Sequence, residues 1–318
     1  MDLQTFAAVP KAELHVHLEG AMRLERVLEF ARQRPKHPWY NINASVLAER
    51  FRTASFPQFL EQFMAGYHLL RESHHYQAIT EDLCRTFEQQ GVVAADVLYS
   101  PGVHMQMNKV ALATIHDGIE AGLAHFPNLD IRFIVDTVIN LGFDFMSRTL
   151  EGVLADRRSW LAGFSVGGGD PDLDMTSLVP LFHRASQAGL FCVAHAGEVD
   201  GPENIAILLR ETDVVRIGHG CAALRSPEVM DLLRDRGTVV DVSPTSNLFT
   251  GAVDQIENHP LKAFVAHGIR VTLNTDDPLY FDTDLHREYE RVRTEMGFSE
   301  EQVMALMRDS LEIIKETR

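Results

Sequence analysis

The sequence predicts a (β/α)8 barrel. Eight short apolar segments recur along it, and helical patterns fill the intervals. An open doubly wound sheet would need a ligand-binding turn, usually glycine-rich. Neither GxGxxG nor GxxxxGK[ST] occurs, and the three glycines at 167–169 have neither spacing. The apolar segments are AELHVHL (12–18), VVAADVLYS (92–100), IRFIVDTVI (131–139), LAGFSVG (161–167), LFCVAHA (190–196), VVRIGHG (214–220), TVVDVSP (238–244) and IRVTLNTD (269–276). Each is rich in Val, Ile, Leu or Phe and is bounded by Gly, Pro, Asn or Asp, as buried parallel strands are.

The helical stretches follow in order. MRLERVLEFARQR (22–34) carries Leu24, Val27, Leu28 and Ala31 at helical spacing. A long crossover, 35–91, then separates the first strand from the second. Within it ASVLAERFRTASFPQFLEQFMAGYHLLRE (44–72) reads as at least two helices, expected as a lid inserted over the C-terminal mouth. ALATIHDGIEAGLAHF (111–126), DMTSLVPLFHRASQAG (174–189) and SPEVMDLLRDRG (226–237) are further helices. In the last, Ser226 suits the N-cap, Pro227 the first turn and Gly237 the end. No repeat, low-complexity linker or charge block interrupts the chain, so 1–318 is expected to form one domain.

Composition narrows the function. Hydrophobic residues make up 45% and charged residues 23%, which supports a packed core. Lys and Arg total 29 against 45 Asp and Glu, a formal charge of -16. So acidic a surface repels phosphate backbones and anionic lipids, and neither nucleic acid nor a membrane is an expected partner. The start has no basic stretch followed by an apolar one, and the three cysteines fit neither a disulfide framework nor a CxxC site. A cytoplasmic location is expected.

Histidine, at 15 residues, is the unusual component. His15 and His17 lie two apart on the first strand, so both imidazoles share a face at the end where barrel active sites sit. Paired imidazoles suit a borderline cation such as Zn2+. His195, His219 and Asp276 close the fifth, sixth and eighth strands, which adds ligand-type side chains at the same mouth. Glu198 follows His195 by three residues. An enclosed carboxyl there would keep a proton near neutral pH and act as a general acid. Asp276 and Asp277 are adjacent carboxylates that would point opposite ways on a strand. His74, His75, His116, His125, His183, His259 and His267 lie away from strand ends and are expected to be packed or solvated. Phe56, Phe59, Leu60 and Phe63 form a helical stripe, expected as core with a second use over the mouth.

HVHLEG, HAGE, GHG and NTDDP, in this order at these strand ends, resemble the adenosine deaminase family of the amidohydrolase superfamily. The likeness runs from PKAELHVHLEG through YSP (99–101) to SNLFTG (246–251). It implies a zinc-dependent barrel that hydrolyses the 6-amino group of a purine to a 6-oxo group and ammonia. By position it implies one zinc per chain on His15, His17, His195 and Asp276. It implies Glu198 as the donor to ring nitrogen N1, and His219 as the group that orients the zinc-bound hydroxide and takes its proton. Asp277 would meet N7, and the backbone N–H of Gly168 would meet N3. Glu19 would face the sugar, with Phe56, Phe59, Leu60 and Phe63 covering base and sugar.

The sequence departs from the family pattern at three places. Glu19 stands where adenosine-specific members carry Asp. In GFSVGGGD, Ser165 replaces an Asp, and Asp170 stands where Glu is usual. No GLDSSE-like segment of adenine-base deaminases is present. The expected substrate is therefore a nucleoside, adenosine or a relative such as 6-aminodeoxyfutalosine. Free adenine and a catalytically silent nucleoside-binding protein remain as alternatives. The oligomeric state is not legible.

Overall fold

The computed structural model describes residues 2–169 and 174–316. Asp170 therefore lies outside the described residues. The eight predicted strands are all present: β1 (Lys11–His17), β2 (Val92–Tyr99), β3 (Asp130–Val138), β4 (Leu161–Gly167), β5 (Phe191–Ala196), β6 (Val214–His219), β7 (Val239–Val242) and β8 (Val271–Leu273). They form one parallel sheet in sequence order, with helices around it, as a (β/α)8 barrel requires.

The seam between β1 and β8 is closed differently from the other joints. Among the described residues one bridge, Val16 with Asp276, joins the two edges near the mouth. His17 N–H donates to the Asp276 carbonyl at 2.9 Å, and Asp276 N–H to the His15 carbonyl at 3.1 Å. Below it the Asn274 side chain takes over. Its Oδ1 accepts from the N–H groups of both Leu14 and His15, at 2.8 and 3.0 Å. Two consecutive donors on one acceptor mark a local bulge, and the β1–β2 register shifts in the same place, between Glu13 and Val16. β8 ends at Leu273, short of the predicted strand through Asp276.

The helices follow the predicted stretches. Pro227–Arg236 starts on Ser226, whose side chain accepts from Val229 N–H, and stops at Gly237 with φ +66°. The long crossover holds helices Ala44–Arg52, Phe56–Tyr67 and Ser73–Gln90. The last of these packs against helix Leu112–Leu123 and β2 and so belongs to the ring around the barrel. All three cysteines are buried and free. Among the described residues no helix is long and apolar enough to cross a membrane.

Inside the barrel the N-terminal end is closed by apolar packing. Ile313 and Ile314 of the helix Glu300–Glu316 meet Ala12, Leu14, Ala94 and Val239. Each such buried aliphatic side chain contributes about 1.5–3 kcal/mol. Next comes an ionic brace. Arg216 of β6 reaches Asp241 on β7 at 2.8 Å, Asp96 on β2 at 2.9 Å and the Leu14 carbonyl at 3.2 Å. Arg132 on β3 supports Asp96 from the other side at 2.7 Å.

Candidate active site

The parallel strands carry His15, His17, His195, His219 and Asp276 to one mouth. Ligand-type atoms of His15, His17, His195 and Asp276 all lie within 4.8 Å of one another. His17 Nε2 stands 3.2 Å from His195 Nε2 and 3.3 Å from Asp276 Oδ1, and His15 Nε2 stands 3.4 Å from the same oxygen. A tetrahedral cation with bonds of about 2.0–2.2 Å separates its ligand atoms by roughly 3.3–3.6 Å. The spacing therefore fits such an ion. So does His15 Nε2, a buried nitrogen with no hydrogen-bond partner. Burial opposes positive charge at His17, but Asp277 and Asp276 outweigh burial and push that imidazole up to about 10. Burial holds His15 and His195 below the usual range.

The ligand-type groups are held from behind. His195 turns Nδ1 toward the Val166 carbonyl at 3.3 Å and Ser165 Oγ at 3.4 Å, which leaves Nε2 for the centre. Ser246 Oγ donates to Asp276 Oδ2 at 2.6 Å. Asp276 and His219 both sit in left-handed backbone, φ +63° and +65°. Non-glycine residues hold that conformation at a cost of about 1–3 kcal/mol, and it concentrates at sites where geometry is imposed.

Glu198 and Asp277 flank this centre. Glu198 Oε2 lies 3.6 Å from His219 Nε2, and burial pushes the Glu198 carboxyl up. Burial and then Asp276 push Asp277 well above the carboxylate range. Asp277 Oδ1 is buried without a partner, and it occupies the space beside Gly20. A Cβ on Gly20 would meet that oxygen at 1.8 Å, so the glycine of HVHLEG makes room for Asp277. Gly218 has the same function for His15, whose Cε1 would lie 2.6 Å from an added Cβ.

The remaining predicted residues are spread around the mouth. Gly168 follows β4 in an exposed turn with φ +96°. Glu19 is buried. Its Oε1 accepts from Ser100 N–H at 3.1 Å and pairs with His104 Nε2 at 3.0 Å, while Oε2 has no partner. Phe59 stacks with Phe56 and Phe63, at centroid distances of 6.0 and 5.5 Å, and meets Phe249 and Phe281 from the loops after β7 and β8. Leu60 does not join them. It is 45% exposed, because a helix turns it away from the face that Phe59 buries.

Three residues of the site escaped the sequence reading. Asp136, on β3, lies with Oδ1 3.8 Å from His195 Nδ1, and burial pushes it up to about 6. Asn247 and His259 line up behind His219. Asp136 had a usable signal, a carboxylate near a strand's C-terminal end. Asn247 lay within a quoted motif without a role, and His259 was expected to be packed or solvated.

A model of the family described as adenosine deaminase matches residues 10–314. An aminodeoxyfutalosine deaminase of Streptomyces avermitilis is 31% identical over 319 residues, covering 98% of this chain and 88% of that protein. The crystal structure of an adenine deaminase from Arthrobacter aurescens superposes with TM-score 0.85 at 25% identity, covering 96% of this chain and 99% of that one. An amidohydrolase from Burkholderia ambifaria, solved with bound zinc, gives TM-score 0.88 at 22% identity over 98% of this chain and 86% of that one.

Proposed function

Because the chain belongs to the adenosine deaminase family, and is thereby a hydrolytic deaminase of adenosine-like nucleosides or adenine, we propose that it deaminates a 6-aminopurine nucleoside. Adenosine and aminodeoxyfutalosine are the first candidates. One juxtaposition carries the reading: the buried Glu198 carboxyl, its pKa pushed up by burial, stands beside the cluster of His15, His17, His195 and Asp276, with Asp277 beside it.

Those four residues would hold one zinc ion per chain. Such an ion supplies a reactive water at neutral pH by lowering its pKa toward ~7. The protein's own groups do the rest. Addition of water at C6 breaks the ring's aromaticity and moves electron density onto N1. Glu198, its carboxyl pushed up by burial, would deliver a proton to N1 as that density develops. Expulsion of the amine as ammonia leaves the 6-oxo group. Asp277 faces N7, and the Gly168 N–H meets N3. Phe56, Phe59 and Phe63 exclude water from the base, as a lid does. Leu60 would reach the substrate only from the exposed rim.

Glu19 supports the nucleoside over the free base. Its Oε1 is engaged by Ser100 and His104, and its free Oε2 would accept from a sugar hydroxyl. A panel of 6-aminopurines, varied at the sugar and at its 5′ position and followed by loss of the amino chromophore, tests this. Nucleosides should give the higher kcat/KM, and faster turnover of adenine would overturn the substrate assignment.

A further inference from the structure

Three hydrogen bonds run in line from the backbone to His219. Leu261 N–H donates to His259 Nδ1 at 3.2 Å. That nitrogen is therefore a lone pair. Burial holds the His259 imidazole down at about 4, so the ring is neutral near pH 7 and carries its one proton on Nε2. His259 Nε2 faces Asn247 Oδ1 at 3.1 Å and donates to it. An amide that accepts through its oxygen turns its NH2 the other way, and Asn247 Nδ2 stands 2.9 Å from His219 Nδ1. An NH2 group can only donate there. His219 Nδ1 is thus the acceptor, which places the ring's N–H on Nε2. Turning the amide over would set its NH2 against the Nε2–H of His259, two donors face to face in a buried place.

We propose that Asn247 and His259 are positioning residues that present His219 to the reaction chamber as an N–H donor. A ring already protonated at Nε2 cannot accept a second proton there. His219 would then hold and orient the attacking water by donating to its oxygen. In place of the proton-accepting role that the family resemblance implies for His219, the proton this water sheds would pass to the Asp276 carboxylate and on to the departing amine, while the added hydroxyl's own proton restores Glu198. That use rests on the deaminase reading; the identity of the protonated nitrogen does not.

The test is a long-range 1H–15N correlation spectrum of the zinc-loaded protein labelled at histidine, with His219 assigned by difference against His219→Gln. In the wild type, Nδ1 of His219 should resonate as an unprotonated nitrogen and Nε2 as a protonated one. Asn247→Asp replaces the donor with an acceptor of nearly the same shape. It should move the proton to Nδ1 and lower kcat by about 10–100-fold, with KM and zinc content retained. His259→Gln still offers a donor to Asn247 and should restore most of the wild-type pattern, whereas His259→Leu should not. A wild-type His219 protonated at Nδ1 overturns the proposal without any variant. So does an Asn247→Asp protein with an unchanged spectrum and kcat, or one that has merely lost its zinc. The wild-type spectrum needs no substrate, so failure of the nucleoside assignment leaves it readable.

Discussion

The two ends of the barrel interior treat buried polarity in opposite ways. Toward the N-terminal ends of the strands, buried charges meet carboxylates or carbonyls, although Arg216 Nη1, 2.9 Å from Asp96, makes no well-aligned hydrogen bond. Arg216 lies between Asp96 and Asp241, Thr272 Oγ1 donates to Asp241 at 2.7 Å, and Lys11 Nζ donates to the carbonyls of Phe6 and Gln90, both at 2.7 Å. At the mouth, His15 Nε2, Glu19 Oε2, Asp136 Oδ1 and Asp277 Oδ1 are buried without partners. An unpartnered buried polar atom costs about 1–3 kcal/mol. The fold carries four of them within one neighbourhood, and under the proposed function a cation and a substrate would supply the missing partners. The brace serves stability, and the mouth trades stability for chemistry.

That contrast is broken most directly at the ligand cluster. His17→Ala should abolish both bound metal and turnover while the barrel still folds. Metal analysis of the wild type should give about one divalent ion per chain, zinc, and two equivalents or an active metal-free protein would contradict the assignment. Glu198→Gln should keep the metal and lower the rate by about 10²–10⁴-fold. The folded-state pKa of Glu198 is raised, so the native protein binds more protons than the unfolded chain and this group's contribution to stability falls as pH rises. Glu198→Gln should remove that loss and match or exceed wild-type stability at neutral pH. Wild-type kcat should fall as pH climbs through the raised pKa, and the variant should lack that limb.

The brace should answer in the opposite currency. Asp96→Ala leaves Arg216 and Arg132 short of a buried partner and should cost about 3–5 kcal/mol in urea unfolding. Metal content and KM of the folded fraction should stay at wild-type values, and loss of metal in this variant would erase the distinction between the two ends. The smallest effect is expected at Glu19. Glu19→Ala should lower kcat/KM for a nucleoside by about 1–3 kcal/mol while leaving free adenine less affected. If adenine suffers more, the side chain serves the base and not the sugar.

The barrel was legible because its strands are buried on both faces, and near-continuous apolar runs such as LAGFSVG, found as Leu161–Gly167, mark that environment. The cluster was legible for a related reason: each ligand-type side chain closes an apolar run. What stayed hidden depends on side chains that replace backbone. No periodicity announces that Asn274 would gather two β1 amides just past the end of β8, because the sequence around it continues as a strand would. His259 is separated from its partner Asn247 by the chain's own return, so its place behind His219 has no local sign. Asp136 illustrates an intermediate case. Its strand ran on through Val138, and a carboxylate inside an apolar run suggested no partner until His195 was seen across the sheet. The Phe56–Phe63 helix shows the limit of face arguments, since a stripe four residues wide includes Leu60 at its solvent edge.

The seam between β1 and β8 has a consequence for the order in which the protein is made. Leu14 and Asn274 are 260 positions apart, and the bonds between them close the ring. During synthesis β1 emerges early, with two of the four ligand-type side chains, and waits for nearly the whole chain. Until Asn274 and Asp276 appear, any nascent barrel is an open sheet with two unpaired edges, the condition under which strands recruit neighbouring chains. The same event that covers those edges brings Asp276 beside His15 and His17. Ring closure and completion of the four-residue cluster are thus one event, and a ribosome-bound fragment lacking β8 would have neither.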